Sequence, residues 1–455
     1  MTGSASRQMT LVAFLQAQNC SNYVGSWRHP AAAGDFLSPE YYERIARTLE
    51  DGKFDMAFFD DRLAMPDIYG HNHKATVAHG VRAVKLDPSV ILTVMAMATS
   101  RLGLGATYST TYYEPYHVAR IFATLDLMSK GRVAWNIVTS LNGSEAANFG
   151  YEEHLEHDLR YDRADEFMEV VVGHWGAWEE GSIIGDRTGD RFADPEKVHQ
   201  LDYRGAHFQS RGPFTVPRSP QGHPVLMQAG QSGRGRAFAA RWAELVFAQY
   251  ANLAAGRKQY NDFKEAFAAA GRPGELRICP EVKIFVGETE ALAREKFELL
   301  DSLTRPIDAL ILMCELLNVD FAGRALDAPF NDQELAAMSW QGLRDRVIAK
   351  TGKKNPTVQD FIDSSWGTLR QGACFIGTPR QVADEMEEWF GSACDGFVIS
   401  APVVPGSYED FVRLVVPELQ RRKLHRTEYP GTTLRETLGL ARPVSNGRPK
   451  VAAHT

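Results

Sequence analysis

The stretch VLMQAGQSGRGR, residues 225–236, combines residue types that suit the binding of an anion. It leaves an apolar run, carries Gly230, Ser232 and Gly233, and continues into the helical pattern GRGRAFAARWA. Backbone N–H groups at a helix N-terminus and a serine hydroxyl can converge on a phosphate. The same glycines also fit a tight turn between a strand and a helix. The spacing is not GxGxxG, and no acidic residue ends the next apolar run, so a Rossmann dinucleotide site is not indicated.

The segment HLEHDLRYDRADEF, residues 154–167, places an imidazole and a phenol one helical turn apart. His157 and Tyr161 are four residues apart, so on a helix both can reach one phosphate or ribityl oxygen. A metal site at His154, His157 and Asp158 is the alternative, but no further ligand stands at a recognisable spacing, and we expect no metal. Alternating charges predict a solvated helix face for Arg160, Asp162, Arg163, Asp165 and Glu166.

Polar residues end several of the apolar runs. Asp60 and Asp61 close FDMAFFDD, Thr107 lies in GLGATYS, and Asn136 lies in RVAWNIVTS. Polar groups at the carboxyl ends of barrel strands point into the mouth where ligands bind, whereas unpaired polar groups are costly inside a core. For each of these residues, a structural hydrogen bond is an equal alternative. Together with Ser232 and Tyr161, they can surround one polar, phosphorylated cofactor.

The composition excludes several classes of protein. Lys and Arg number 50 against 57 Asp and Glu, a net charge of −7, so the chain lacks the cations that neutralise a run of nucleic-acid phosphates. The five cysteines are scattered without a CxxC pair, which is typical of free thiols in a reducing compartment. No basic leader and no run of 18 apolar residues is present. We expect a soluble, cytoplasmic protein that binds neither nucleic acid nor membrane.

Short apolar runs alternate with longer helical patterns along the chain. Eight such units in succession, with strands that are apolar on both faces, predict an α/β fold of the (β/α)8 TIM-barrel type, with a doubly wound sheet as the alternative. Ser38, Pro39 and Gly52, for example, mark the start and end of one helix. The predicted strands are 9–16, 54–61, 102–109, 132–139, 224–229, 244–249, 276–287 and 395–401.

Two gaps between the predicted strands are longer than a helix needs. We interpret the chain, 1–455, as one barrel domain with insertions at about 141–223 after strand 4 and 304–370 after strand 7. The first insertion holds a predicted hairpin with Gly205 at its turn, and the second is mostly helical. Insertions after barrel strands cover active sites or form oligomer contacts. The aperiodic end, 441–455, is predicted to be a flexible tail.

Long blocks of this sequence resemble one known family. They run over nearly the whole chain outside 305–370 and include SWRHP, GLGATYSTTYYEPYHVARIFATLDLMSKGRVAWNIVTSLN, NFGYEEHLEHDLRYDRADEF and VPRSPQGHPVLMQAGQSGRGRAFAARWAE. These blocks are similar to the bacterial-luciferase-like flavin monooxygenases, in the branch with nitrilotriacetate monooxygenase, pristinamycin synthase A and dibenzothiophene-sulfone monooxygenase, and most of all to the last. The resemblance implies a TIM barrel that binds FMN, receives it as FMNH2 from a separate NAD(P)H:flavin reductase, and uses O2 to oxygenate a hydrophobic aromatic compound.

The resemblance also implies roles for single residues. The flavin contacts carry over to Asp61, Thr107, Asn136, His157, Tyr161, Gly230, Ser232 and Gly233, with Tyr161 and Ser232 donating to the FMN phosphate. His29 in SWRHP is the candidate acid or base, with a structural histidine as the alternative. Candidates for the substrate wall are Phe14, Asn22, Phe59, Tyr112, Phe247, Met313 and Val403, each of which also fits a core position. Family members are usually dimers or tetramers, so we expect a homodimer or homotetramer.

The segment after the first strand departs from the resemblance. This chain reads NCSNYVGSWRH, with Asn22 at the place where the sulfone monooxygenases carry a histidine. Sulfone C–S cleavage and oxidative dehalogenation of an aromatic compound are therefore both open. Two other functions also fit the same fold. One is hydride transfer with deazaflavin F420, and the other is flavin binding without catalysis.

Overall fold

Eight parallel strands close into a barrel in the computed structural model, which describes residues 7–16, 18–140, 142–339, 341–364 and 372–444. The eight lie at the predicted positions and confirm the TIM barrel. They are β1 (Thr10–Leu15), β2 (Met56–Phe59), β3 (Gly103–Ser109), β4 (Val133–Val138), and, after two short hairpins, β9 (Val225–Gln228), β10 (Leu245–Ala248), β11 (Arg277–Val286) and β13 (Gly396–Ser400). Because β1 pairs with β13 and β10 pairs with β11, the eight strands form a closed ring and the doubly wound sheet is excluded.

Helices surround the barrel. Those within the described residues are α1 (Pro39–Asp51), α2 (Lys74–His79), α3 (Pro88–Ala98), α4 (Pro115–Met128), α5 (Gly143–Asn148), α6 (His157–Trp175), α7 (Gly233–Trp242), α8 (Leu253–Ala269), α9 (Glu290–Leu303), α10 (Pro306–Leu317), α11 (Asp332–Ala337), α12 (Gln341–Thr351), α13 (Val358–Asp363), α14 (Pro379–Trp389), α15 (Gly406–Asp410), α16 (Val416–Arg421) and α17 (Leu434–Leu438). In this part of the chain, none of them is long and apolar enough to cross a membrane.

Helix α1 begins and ends where its sequence predicts. The Ser38 hydroxyl accepts a hydrogen bond from the Tyr41 N–H, Pro39 occupies the first turn, and Gly52 follows the last residue. Buried residues recur at helical spacing, so one face packs on the barrel and the other is solvated.

The predicted helix SYEDFVRLVVPELQRRK instead forms α15 and α16 joined by a π-helical turn, Phe411–Val415, just before Pro417. A proline lacks the N–H for a regular helical bond, which accounts for the interruption.

Alternate residues of each strand face the barrel interior and the helices. Val12, Phe14 and Phe58 belong to the interior layer, whereas Ala13 and Phe59 belong to the layer under the helices. Both layers are buried, which is why the strands read as continuous apolar runs. At the amino-terminal end of the barrel, the interior layer continues into Leu434 and Leu438 of α17, which pack beneath the strands.

Residues 141–223 after β4 contain a barrel helix and two hairpins. Helix α6 packs against α4 and α7, so it belongs to the helical ring. The predicted hairpin is present as β7 (Tyr203–Arg204) and β8 (Gln209–Ser210), and Gly205 donates its N–H to the Phe208 carbonyl at the turn. A second hairpin, β5 (Ile183–Asp186) with β6 (Arg191–Ala193), is not predicted from the sequence.

Residues 304–364 after β11 form a helical subdomain with its own apolar core. Helices α10 to α13 bury side chains such as Phe321, Phe330 and Phe361, whose rings contact one another. After the subdomain, β12 (Ala373–Gly377) adds a ninth strand to the barrel sheet by pairing with residues 282–286 of β11. This strand is not predicted from the sequence. Of the predicted tail, residues 445–455 lie outside the described residues, and the insertion limits stay predictions.

Arg435 joins α17 to the amino-terminal end of the barrel through Glu244, and its replacement tests the importance of this ion pair. The guanidinium is buried and donates to Glu244 Oε1 at 2.5 Å and Oε2 at 2.9 Å. Arg435→Met leaves a buried carboxylate without its charged partner, so we expect the free energy of unfolding in urea to fall by about 3–5 kcal/mol. Arg421→Met, which breaks an exposed pair with Glu418, serves as the control with a loss below about 1 kcal/mol. Equal losses for the two variants would contradict this role.

Candidate active site

A cavity of about 240 Å³ opens at the carboxyl ends of the barrel strands. Of the sequence-predicted residues, the structure brings to its wall Asp61, Thr107, Asn136, Tyr161, Gly230, Phe14, Asn22 and Phe247. They come from β1, β2, β3, β4, β9, β10 and α6, or from the loops that follow these elements. Because parallel strands end at one mouth, residues far apart in the sequence meet here.

Three phenylalanines form the floor of this cavity. Phe14, Phe58 and Phe247 point into the barrel from β1, β2 and β10, with ring centroids 5.2 Å to 6.1 Å apart. Each ring is buried, and the group continues into the interior layer below. The floor is therefore a rigid apolar surface that suits a flat aromatic ring.

Thr107 and Asn136 lie side by side on the cavity wall. The Asn136 Nδ2 donates to Thr107 Oγ1 at 2.9 Å, which joins β3 to β4. The Asn136 Oδ1 is buried, and no described residue donates a hydrogen bond to it. A buried amide oxygen without a donor costs about 1–3 kcal/mol. The pair therefore offers an acceptor to a ligand in the cavity.

The glycine turn after β9 packs against the phenol of Tyr161. A Cβ on Gly230 would lie 2.6 Å from Tyr161 Oη and 2.5 Å from Gln228 Nε2, so a larger residue would displace both side-chain ends. The Ser232 hydroxyl caps α7 by accepting from the Gly235 N–H at 3.0 Å. Burial raises the pKa of Tyr161, while hydrogen bonds with Thr139 and Ser232 lower it. Tyr161 and Gly230 line the cavity, whereas Ser232 is exposed and lies beside the cavity wall at the N-terminus of α7.

His157 and Gly233 lie beside this turn but not on the cavity wall. The His157 ring is 5.2 Å from the Tyr161 ring, and its Nδ1 lies 2.7 Å from Asp158 Oδ1 at the surface. Gly233 is the first residue of α7, and a Cβ there would meet open space. The structure therefore keeps both residues within the neighbourhood of Tyr161 without placing either against the cavity.

Asp60 and Asp61 follow β2 and differ in their surroundings. The Lys85 ammonium lies 2.5 Å from Asp60 Oδ1, so Asp60 has a cationic partner. Asp61 accepts the Arg62 N–H at 2.9 Å and faces the cavity. Burial raises the pKa of Asp61 to about 7, with Lys85 opposing the rise and Asp60 adding to it. Asp61 is therefore partly protonated near neutral pH and can donate as well as accept a hydrogen bond.

The helical subdomain is fixed over the mouth by a buried carboxylate. Glu315 of α10 lies 3.0 Å from Arg62 and 3.4 Å from Arg82, and all three side chains are largely buried. Arg62 and Arg82 also line the cavity, and Glu145 accepts the Leu63 N–H at 3.0 Å beside them. These residues were not predicted, because their partners lie more than 80 positions away in the sequence.

Two predicted wall residues are corrected by the structure. Phe59 faces the helices, 6.3 Å from the Tyr42 ring, and Phe58 takes the place that the sequence prediction gave to Phe59. The run MAFF holds no polar residue to mark which side chains face inward. Met313 is buried inside the core of the helical subdomain, because α10 turns that face away from the barrel.

Three further predicted residues also lie away from the cavity. Tyr112 stacks on Phe149 and bonds His154 Nδ1 at 2.5 Å, in the loops after β3 and α5. Val403 packs between the barrel and α9 with Tyr23. His29 follows a short 3₁₀ turn near the surface, where its Nδ1 accepts the Ala31 N–H at 3.1 Å. His29, the candidate acid or base, therefore does not line this cavity.

The predicted solvated face of α6 is wrong for two residues. Arg160 is buried and contacts His154, and Glu166 is buried and accepts the N–H groups of residues 207 and 208 in the hairpin. The neighbouring hairpin covers the helix, which charge alternation does not reveal. His154 thus binds Tyr112 and Arg160, and no cluster of metal-ligating side chains occurs within the described residues.

A second cavity of about 470 Å³ adjoins the first and was not predicted. It shares Asn22 and Gln249 with the first cavity and lies between the barrel mouth and α12. Its charged lining includes Glu281 and Lys283 of β11 and Arg346 of α12. The signal in the sequence is RICPEVKIFV, a strand whose apolar run is interrupted by a glutamate and a lysine.

Comparison with known proteins places these features in context. A profile described as Luciferase-like monooxygenase matches residues 14–396. Dibenzothiophene-sulfone monooxygenase of Rhodococcus erythropolis is 47% identical over 97% of this chain and 99% of its own length. Nitrilotriacetate monooxygenase component A of Aminobacter aminovorans is 40% identical over 96% and 98%. A solved structure of riboflavin lyase with modified FMN and riboflavin superposes with a TM-score of 0.86 at 32% identity, over 96% and 97%.

The raised pKa of Asp61 predicts a pH-dependent stability. The folded protein retains the Asp61 proton up to about pH 7, whereas the unfolded chain loses it near pH 4. The contribution of Asp61 to stability is thus fully present below about pH 4 and is lost as the pH rises through about 7. We expect Asp61→Asn, relative to wild type, to gain about 1–3 kcal/mol in free energy of unfolding between pH 4 and pH 8.

Urea unfolding at several pH values measures this difference. Asp327→Asn is the matched control, because it makes the same change at an exposed position away from Asp61. We expect the stability of this control relative to wild type to stay constant between pH 4 and pH 8. A constant difference between Asp61→Asn and wild type across this pH range would contradict the raised pKa.

Proposed function

This chain belongs to the luciferase-like monooxygenases, and we propose that it uses FMN, delivered in reduced form, and O2 to oxygenate a hydrophobic aromatic compound. The relatives at 40–47% identity that align over nearly their whole length are monooxygenases. Flavin use agrees with the family and with the FMN in the riboflavin lyase structure. The aromatic substrate class is proposed from the similarity to the sulfone monooxygenase.

The phosphate end of FMN fits the glycine turn after β9. Ser232, Tyr161 and the N-terminus of α7 supply hydroxyl and N–H donors within one small region. The close packing at Gly230 leaves the turn no room for a side chain, so its backbone can approach an anion. We propose that Ser232 and Tyr161 donate to the phosphate and that His157 and Gly233 complete its surroundings.

The ring end of FMN fits the remainder of the first cavity. The buried Asn136 Oδ1 can accept a hydrogen bond from the flavin while its Nδ2 donates to Thr107. Asp61 stands at the same mouth and is able to donate or accept. Beneath them, Phe14, Phe58 and Phe247 offer an apolar surface to the ring.

Reduced flavin, when bound, supplies the electrons that activate O2 for transfer of one oxygen atom to the substrate. The contribution of this chain is to hold and shield the reacting groups. The phenylalanine floor excludes water from below, and the subdomain held by Glu315 covers the mouth from above. Asp61, whose pKa is about 7, is placed to hold or release a proton at its carboxyl oxygen near neutral pH.

A separate protein is proposed to deliver the reduced flavin. One relative is named component A, which implies a second component, and we propose an NAD(P)H:flavin reductase in that role. The chain shows no Rossmann fingerprint of its own for a nicotinamide. We also propose that the chain forms a homodimer or homotetramer. Its organisation as a single barrel domain with two insertions is likewise a proposal.

The alternatives gain less support. Hydride transfer with F420 is not favoured, because relatives of 35–47% identity are monooxygenases. Flavin binding without catalysis does not account for the second cavity beside the first. The observation that carries the proposal is the meeting of the glycine turn, the Asn136–Thr107 pair and the phenylalanine floor in one cavity.

Oxygen transfer can be measured directly. Purified protein with FMN, NADH, a flavin reductase and ¹⁸O2 is offered dibenzothiophene sulfone and 2,4,6-trichlorophenol in separate reactions. We expect one ¹⁸O atom in an organic product that forms only when this chain is present. Failure of FMNH2 to bind, with or without these compounds, would contradict the proposal. Oxidised FMN that binds as tightly as FMNH2, with no product, would favour non-catalytic binding.

The phosphate contacts can be tested with two flavins. Wild type is expected to bind FMN more tightly than riboflavin, which lacks the phosphate. Ser232→Ala and Tyr161→Phe each remove one donor and should weaken FMN binding about 10–150-fold, since a hydrogen bond to a charged group contributes about 1.5–3 kcal/mol. Riboflavin binding should change less than 2-fold in the same fluorescence titrations. Thr188→Ala in an exposed turn is the control, and equal weakening of both flavins would place the phosphate elsewhere.

A further inference from the structure

Asn22 stands at the junction of the two cavities. It follows β1, lines both cavities together with Gln249, and is only 7% exposed. The first cavity fits the flavin, so a substrate that occupies the second must meet Asn22 on its way to the flavin. The hydrogen-bonding groups of Asn22 at this junction therefore influence which substrates can react.

A carboxylate fixes the orientation of the Asn22 amide. Its Nδ2 donates to Glu281 Oε1 at 2.7 Å. Glu281 also accepts from Ser400 Oγ at 2.5 Å and from Gln249 Nε2 at 3.0 Å. An ionised carboxylate only accepts hydrogen bonds, so the amide cannot turn its oxygen toward Glu281 without a repulsive contact.

The Asn22 Oδ1 consequently points away from Glu281 with its acceptor capacity unused. It is buried, and it receives no hydrogen bond from the described part of the chain. Such an oxygen is costly to leave without a donor, and a ligand that supplies one removes that cost. The amide nitrogen is committed to Glu281, so the ligand at this position meets an acceptor alone.

We propose that Asn22 selects substrates that carry an N–H or O–H group, such as an aromatic amine or a phenol, by accepting that hydrogen at Oδ1. This inference rests on the proposed function and narrows its substrate class. A site built to bond a donor rejects an isosteric analogue without one far more strongly than an apolar pocket rejects an extra methylene. Glu281 acts as a positioning residue, because it touches Asn22 and fixes which amide atom faces the ligand.

Two small isosteric probes test the selection. Indole carries an N–H, whereas benzofuran has an ether oxygen at the same place, and both are small enough to be bound irrespective of the shape of the true substrate. Ligand-detected NMR titrations on the full chain, with and without FMN, give the two affinities. We expect wild type to bind indole at least 10-fold more tightly than benzofuran. In Asn22→Leu the preference should fall below 2-fold, while FMN affinity changes less than 2-fold.

Two further variants separate selection from general damage. Asn261→Leu makes the same chemical change at an exposed position of α8 and should keep the full preference. Glu281→Gln leaves a side chain that donates as well as accepts, so the Asn22 amide can turn and the preference should fall to about 2–3-fold. Unchanged preference in Glu281→Gln would remove the positioning role.

The outcomes distinguish this inference from the proposed function. Equal affinities of wild type for the two probes, or binding of neither, would overturn the inference while FMN binding still supports the enzyme. A loss of FMN affinity in Asn22→Leu that matches the loss of indole affinity would also overturn it, because Asn22 would then bond the flavin. Absence of FMN and FMNH2 binding in wild type would instead contradict the proposed function, whatever the probes show.

Discussion

The site depends on one geometric constraint, which is that eight parallel strands close on themselves. Closure brings eight carboxyl ends to one mouth, as the pairing of β1 with β13 requires. The interior below the mouth is filled by side chains, so polar groups at the strand ends can bind only each other or a ligand. Thr107 and Asn136 bond each other, and Glu281 bonds Ser400. The buried amide oxygens of Asn136 and Asn22 receive no hydrogen bond from the described residues and therefore mark positions for ligands.

The roof over this mouth is held by apolar packing on Val24 and Val81 and is fixed further by charge. Glu315 of the helical subdomain lies between Arg62 and Arg82 of the loop region after β2. A buried ion cluster of this kind adds little net stability, since desolvation offsets the attraction, but breaking it leaves an unpaired buried charge. The cluster therefore acts mainly to fix where the subdomain sits, which in turn bounds the second cavity.

Sequence patterns revealed the barrel because its strands are buried on both faces and read as apolar runs. Because all four residues of MAFF are apolar, the sequence did not show which of them face the barrel interior, and Phe59 was predicted in the place of Phe58. Site residues marked by a local signal, such as the glycines near Ser232 or the polar end of RVAWNIVTS, were predictable. Glu315 was not, because only the tertiary fold brings Arg62 and Arg82 near it.

The two cavities differ in the hydrogen-bonding groups that a ligand must supply. This difference follows from the groups that neighbour the two amides rather than from the amides themselves. Asn136 and Asn22 each present a buried oxygen, but Asn136 is held by a neutral hydroxyl, whereas Asn22 is held by a carboxylate. The carboxylate permits one amide orientation, and the hydroxyl, which can donate or accept, permits two. The flavin side is thus adaptable in its hydrogen bonding, and the substrate side is not. Each unmatched oxygen also destabilises the empty protein by about 1–3 kcal/mol, so ligands that satisfy both should stabilise the fold.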